Sequence, residues 1–253
     1  MIAASAVHFS VGSVLSQGWD VLSKNLVPFC IIALVVTFPS FLYQLINGAA
    51  AVTTDATTAD GSFYVGRSVS GGGAFIALLI ELVLRQVAIG AISYGVFQEM
   101  RGQRADLADC LRRAGALIFV VIGVAIVSVV AKILATILLI VPGLIVAAML
   151  WVAIPVAVVE RPGVIQSLAR SAALTKGNRW GVFGIMLLIG IGNMVASLLI
   201  DRIVGGTAPG AFVSWIVAAA ITAYAASVTA VGYCTLRFAK EGVGIEEIAK
   251  VFD

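Results

Sequence analysis

Four polar side chains interrupt long apolar runs of this 253-residue chain, and they are the first candidates for chemistry. Glu81 and Arg85 lie four residues apart in one run, so a helix would place them on one face. Lys132 lies in a second run and Asn193 in a third. If each run crosses a bilayer, a rise of ~1.5 Å per residue places Glu81, Lys132 and Asn193 at similar depths, with Arg85 one turn deeper.

A buried cluster of these four residues has two interpretations. Ionised side chains are costly inside a membrane, so they usually mark a functional site or a specific partner. The two cations and one anion sum to +1, which favours a site for an anionic group. Equally, Glu81, Arg85 and Lys132 could form a structural ion pair that fixes helix packing.

A second group of candidates is basic and lies outside the apolar runs. Its arginines and lysines could bind anionic lipid headgroups or a partner protein, each contributing about 1 kcal/mol near a charged leaflet. The simpler explanation is that they only set the orientation of the chain in the membrane. The residues are Arg101, Arg104, Arg112, Arg113, Arg170, Lys176 and Arg179.

Signatures of catalysis are missing from the sequence. The single histidine, His8, cannot supply a metal site, and Cys30, Cys110 and Cys234 show no paired spacing. We find no phosphate-binding loop, no serine nucleophile elbow and no helical His-Glu-x-x-His. The sequence therefore predicts a protein that is not an enzyme and uses neither a cofactor nor a metal. Because the basic residues are spread over several loops rather than gathered into a stripe, no nucleic-acid partner is predicted.

The elements that must position these residues are membrane helices. The chain is 61% hydrophobic and only 11% charged, whereas an ordinary soluble domain is roughly 25% charged. A helix needs about 20 apolar residues to span a bilayer. The sequence predicts a single all-α, polytopic membrane domain over residues 1–253, with an interfacial amphipathic helix at about 8–24 and an external polar loop at 47–73. Six transmembrane helices are predicted at about 26–46, 74–97, 117–140, 142–159, 180–200 and 211–236.

Three hairpins follow from this layout, because an amphipathic stretch precedes the first, third and fifth spans. In the stretch before the fifth span, Ile165, Leu168 and Ala172 share one side. Spans three and four are joined by a tight turn at Pro142-Gly143, since proline is tolerated in the first turn of a helix. The small residues Gly192 and Ala196, spaced by four, favour close helix packing within the chain or in an oligomer.

The distribution of lysine and arginine gives the orientation. Twelve of these residues fall on the side that carries the N-terminus, and two, Arg67 and Arg202, fall on the other side. Basic loops remain in the cytoplasm. Both termini and the three amphipathic stretches are therefore predicted to be cytoplasmic.

Residues 139–180 carry a more specific pattern. An apolar run is followed by Val141-Pro142-Gly143, Trp151, Pro155, Glu160, Gly163, Ser167-Leu168-Ala169-Arg170-Ser171 and Leu174-Thr175-Lys176-Gly177-Asn178-Arg179-Trp180. This order resembles the glycerophosphoryl diester phosphodiesterase membrane-domain family and related six-span bacterial inner-membrane proteins. The resemblance implies a bacterial plasma-membrane protein and a connection with lipids. It does not imply catalysis, because the phosphodiesterase barrel of that family has no counterpart in this sequence.

The function that these features predict is non-enzymatic. We expect a membrane protein that organises lipids, anionic ones among them, or partner proteins, with a homo-oligomer as a further arrangement. One alternative is a transporter or lipid-handling permease that uses Glu81, Arg85 and Lys132. Another is an accessory subunit of a larger membrane complex.

Overall fold

A computed structural model describes residues 9–51, 71–100, 117–204 and 208–241, together with Cys110, Arg112 and Gly115. The described residues contain helices and no strand, so the all-α prediction is confirmed for them. The helices are α1 (Val11–Lys24), α2 (Leu26–Ala51), α3 (Gly71–Met100), α4 (Ile118–Leu138), α5 (Ile140–Met149), α6 (Ala153–Val159), α7 (Val164–Thr175), α8 (Arg179–Val204) and α9 (Ala208–Glu241).

Four segments within the described residues are long and apolar enough to cross a membrane. They are Ile118–Ile137, Val141–Val159, Arg179–Ile200 and Pro209–Glu241. A fifth is obtained if α1 and the first part of α2 count as one span, although these two helices are bent by 96° at their junction. The predicted external loop at 47–73 lies largely outside the described residues.

Asn25 makes the bend between α1 and α2. Its backbone N–H donates to Leu22 and Val21, which ends α1, and its side-chain amide also donates to the carbonyl of Val21 at 3.2 Å. Its own carbonyl then accepts from Phe29 and begins α2. Pro28 lies in the first turn of α2, where a missing N–H leaves no hydrogen bond unmade.

Helix α9 is the centre of the bundle and packs against α1, α2, α3 and α8. The main core cluster joins residues of these helices, among them Val14, Phe29, Ile92 and Val231, which are almost fully buried. The sequence places Val14, Gly18 and Leu22 on one face of the first amphipathic helix, and these residues of α1 are buried against this core.

Helix α1 approaches α9 closely because Gly18 has no side chain. A Cβ atom at Gly18 would lie 2.6 Å from Val228 Cγ2 and 3.1 Å from its Cα. Beside this contact, the rings of Trp19 and Tyr224 meet edge to face, 6.1 Å apart. The Tyr224 hydroxyl donates to the carbonyl of Leu15 at 3.2 Å, so α1 is fixed to α9 by both packing and a hydrogen bond.

Large apolar side chains on the outside of the helices are uncovered by protein. On α4, α5 and α8 they form long faces, and only 6% of an apolar 18-residue stretch within Arg179–Ile200 is buried. Water would make such faces costly at roughly 25 cal/mol per Å², whereas lipid would not. The exposed residues include Val35, Phe119, Leu134, Ile137, Val141, Leu188, Leu198 and Ile203.

Replacing Gly18 by leucine should weaken the protein by forcing α1 away from α9. Overpacking of a tight contact typically costs about 1–3 kcal/mol. Gly12→Leu on the same helix is the matched control, because a Cβ at Gly12 meets nothing within 4 Å, and its stability should stay within about 0.5 kcal/mol. The measurement is thermal unfolding of both variants in mild detergent. Equal stability of the two variants would contradict the close approach of the helices.

Candidate functional site

The intramembrane candidates do not form one contact group within the described residues. Arg85 lies on α3 and is exposed, and Lys132 lies on α4, which packs against α3, and is partly exposed. No ion pair joins Arg85 or Lys132 to another side chain that the structure describes. Glu81 belongs to α3, but its side chain is outside the described part. The predicted cluster of Glu81, Arg85 and Lys132 therefore stays a prediction.

Asn193 lies apart from these residues. It is exposed on α8, and α8 packs against α9, α5 and α1, with no comparable interface to α3 or α4 in the described chain. The similar membrane depth inferred for Asn193, Glu81 and Lys132 therefore does not place Asn193 on a helix next to theirs. Depth along a helix does not determine which helices are neighbours in a bundle.

The basic candidates differ in their surroundings. Arg112 and Lys176 are exposed, and Arg179 is partly buried. The predicted positions Arg101, Arg104 and Arg113 lie outside the described residues. Arg170 is different from all of these, because its guanidinium is held by two carboxylates of the same chain.

Those carboxylates belong to a polar network at one end of the bundle, which we call the Glu160 network (Glu160, Arg170, Tyr233, Arg237 and Glu241). Arg170 Nε donates to Glu160 Oε2 at 3.0 Å, and its Nη2 donates to Glu241. The Tyr233 hydroxyl donates to Glu160 Oε1 at 2.9 Å and accepts from Arg237 Nη1 at 3.0 Å. Arg237 Nε donates to Glu241 Oε2 at 3.1 Å. The network thus joins the end of α6 and helix α7 to the end of α9.

The charges of the Glu160 network balance. Two carboxylates face two guanidinium groups, and the four side chains are between 13% and 32% exposed. Burial would lower the pKa of Arg170, but its hydrogen bonds to Glu241 and Glu160, together with the attraction of their charges, raise that pKa above its ordinary value. A balanced set whose hydrogen bonds are made is suited to fastening helices, and it leaves Arg170 little capacity to bind a headgroup.

A strained turn brings Glu160 to Arg170. Arg161 adopts a left-handed conformation with φ of 53°, and Gly163 follows with φ of 96°. Such a conformation is costly for a residue other than glycine, so the surrounding contacts must hold it. Helix α7 then begins at Val164, with the carbonyl of Gly163 accepting both the N–H and the hydroxyl of Ser167.

Helix α7 is also fixed by hydroxyl groups. Between α5 and α6 the N–H of Ala153 donates to Leu150 rather than to Met149. The carbonyl of Met149 instead accepts the hydroxyls of Ser171 at 2.7 Å and Thr175 at 3.4 Å. The side of this helix that packs against the protein carries Ser167, Ser171, Leu174 and Thr175, which are buried, while Ile165 is 69% exposed.

Two of the basic candidates, Lys176 and Arg179, lie at the start of α8, and we call residues 176–180 the α8 start. Gly177 ends the preceding helix with φ of 95°, and the carbonyl of Asn178 accepts from Val182 to begin α8. Lys176 is exposed, and the Nε of Arg179 is buried without a hydrogen-bond partner among the described residues. The side chain of Trp180 is 86% exposed. Free N–H groups and the helix dipole add positive potential at this end of α8.

Most of the Glu160 network was missed by sequence reasoning. Of its five members, only Arg170 was a candidate. The four-residue spacing of Arg237 and Glu241 is a recognisable signal of a helical ion pair. Nothing in the sequence indicates that Glu160 lies beside residues more than seventy positions away.

Metal coordination finds no support in the part of the chain that the structure describes. No group of three or more histidine, cysteine, aspartate or glutamate side chains could hold an ion there. The thiols of Cys110 and Cys234 are buried, and that of Cys110 donates to Gln98 Oε1 at 4.0 Å.

Comparisons with protein-family models, with curated proteins and with solved structures give no match to this chain. The resemblance of residues 139–180 to a membrane-domain family therefore stays a prediction.

Replacing Glu160 by glutamine should destabilise the polar end of the bundle. Arg170 would lose a charged hydrogen-bond acceptor and Arg237 an opposite charge 3.6 Å away, and one hydrogen bond to a charged group contributes about 1.5–3 kcal/mol. We expect a loss of unfolding free energy within that range. Arg170→Gln combined with Glu160→Gln should cost less than the sum of the single changes, because the residues share contacts. Lys176→Gln, which changes an exposed cation, is the control. Strict additivity in denaturant unfolding would show that the two residues are not coupled.

Proposed function

We propose that the protein is a non-enzymatic integral membrane protein that binds anionic lipid headgroups on a basic cytoplasmic face and thereby organises lipids or partner proteins. In this proposal six helices cross a bacterial plasma membrane in three hairpins: α2 with α3, α4 with α5 and α6, and α8 with α9. Both termini lie in the cytoplasm.

The uncovered apolar faces support the membrane location, and the basic residues support its orientation. The Glu160 network, the α8 start and the turn at Arg161 lie at the ends of helices that the positive-inside rule assigns to the cytoplasm. Helix α9 has 34 residues, about 51 Å at 1.5 Å per residue. It therefore exceeds the ~30 Å hydrocarbon thickness, and its C-terminal part extends into the headgroup region or beyond.

The α8 start is the observation that carries the lipid proposal. It combines an exposed lysine, an arginine whose Nε has no hydrogen-bond partner among the described residues, and an exposed tryptophan. Tryptophan prefers the membrane–water interface, and the cations lie where headgroup phosphates would be. Helix α8 leads directly from this site along a face that is open to lipid.

The permease alternative receives less support from the described residues. A transport site needs its polar side chains around a shared cavity between helices. Arg85 and Asn193 are instead exposed on different helices. An accessory role in a complex is compatible with the uncovered surface of α8.

The test is a titration of fluorescent phosphatidylglycerol and phosphatidylcholine into the protein in mild detergent. We expect the native chain to prefer phosphatidylglycerol and the double variant Lys176→Gln, Arg179→Gln to bind it about thirtyfold more weakly, since the two cations contribute about 1 kcal/mol each and about 1.4 kcal/mol is tenfold in affinity. Lys24→Gln removes an exposed cation from α1 and should leave the affinity unchanged. Equal affinity of the native chain for the two lipids would refute the proposal.

A further inference from the structure

Helix α8 carries a polar group that nothing in the described chain accounts for. Asn193 is exposed, and among the described residues only its backbone carbonyl, not its carboxamide, takes part in a side-chain hydrogen bond. The neighbouring side chains Met194, Val195 and Leu198 are exposed and apolar. Asn193 lies seven residues before Ile200, where the apolar segment ends, which is ~10 Å along the helix. If α8 crosses the membrane, this carboxamide lies in hydrocarbon, where an unmade hydrogen bond is costly.

The surface around Asn193 is shaped for another helix. Gly190, Asn193 and Ser197 are spaced by three and four residues, so they lie on one side of α8, and all three are exposed. A Cβ at Gly190 would meet nothing within 4 Å. The Ser197 hydroxyl already donates to the carbonyl of Asn193 at 3.0 Å. Small side chains beside a polar one allow close approach of two helix backbones in a membrane.

We propose that this side of α8 is the contact between two copies of the chain, with the Asn193 carboxamides hydrogen-bonded to each other. Two copies inserted the same way have α8 parallel, so position 193 of one copy lies at the same depth as position 193 of the other. A carboxamide is both donor and acceptor, and a symmetric pair therefore satisfies both. The inference rests on the membrane crossing of α8 in the proposed function, but not on lipid binding.

Lipid and a different protein are the other occupants of this surface. Acyl chains would leave the carboxamide without a partner. A different protein would have to present a complementary group at this depth, whereas a second copy does so by symmetry.

The experiment counts the chains in each particle. Full-length protein carrying one fluorophore per chain is reconstituted at low density into phosphatidylcholine vesicles, and photobleaching steps are recorded. The native chain should bleach mainly in two steps, and Asn193→Leu and Gly190→Leu should bleach mainly in one. Gly192→Leu is the matched control. Gly192 also has nothing within 4 Å but lies about 100–160° around the helix from the three residues of the proposed face, so two steps should persist.

A native chain that bleaches in one step would overturn the inference, whether lipid or another protein occupies the surface. Two steps for all the variants would overturn it as well. If the native chain is monomeric but still prefers phosphatidylglycerol, the dimer is refuted and lipid binding is not.

Crosslinking tests the same contact without a large side chain, in case a leucine variant fails to fold. On oxidation with copper phenanthroline, Ser197→Cys should give a disulfide-linked dimer. Leu199→Cys, exposed on the opposite side of α8, should give no more than the native chain, whose own cysteines set the background. Equal crosslinking at positions 197 and 199 would contradict the proposed face.

Discussion

The carboxylate of Glu160 holds together three parts of the chain that are far apart in sequence. Glu160 follows the last residue of α6. Its carboxylate accepts hydrogen bonds from the Arg170 guanidinium of α7 and from the Tyr233 hydroxyl of α9. Glu241 closes the arrangement by binding both Arg170 and Arg237. Because polar groups that leave water must find partners, this balanced set allows helix ends to pack closely at the polar end of the molecule. The left-handed backbone conformation of Arg161 is costly for a residue other than glycine. The contacts of the Glu160 network hold this turn, which places Glu160 beside its partners.

Elsewhere in the described helices, the side chains that pack between helices differ from those on the outside of the bundle. Inside, small and β-branched residues let α9 contact α1, α2 and α3, as Gly18 does against Val228. Outside, leucine, isoleucine and phenylalanine remain uncovered along α4, α5 and α8. This distribution is compatible with a membrane location, because lipid accepts apolar surface whereas water does not.

Features set by local sequence were the ones that could be predicted. The apolar spacing of α1 indicated the face that packs, and Pro142 lies in the first turn of α5 as expected for proline. Features set by long-range contact could not be predicted. Ser171 is buried because its hydroxyl donates to the carbonyl of Met149, which has lost its usual helical N–H donor at the break between α5 and α6. Hydrophobic periodicity does not reveal such a contact, so the sequence did not indicate that Ser171 is buried and Ile165 exposed. In the same way, the sequence does not show that the Arg170 guanidinium is paired with Glu160 at the end of α6 and with Glu241 at the end of α9.

The central claim is that the polar end faces the cytoplasm and the segment at 47–73 faces the opposite side. The most direct measurement is labelling of single cysteine variants by a membrane-impermeant maleimide in intact cells, with the native chain as background. Ala173→Cys reports on the polar end, where Ala173 is exposed on α7, and Thr57→Cys reports on the predicted external segment. The account predicts that Thr57→Cys is labelled in intact cells and that Ala173→Cys is labelled only after the cells are permeabilised. Labelling of Ala173→Cys from outside, or of both variants equally, would contradict it.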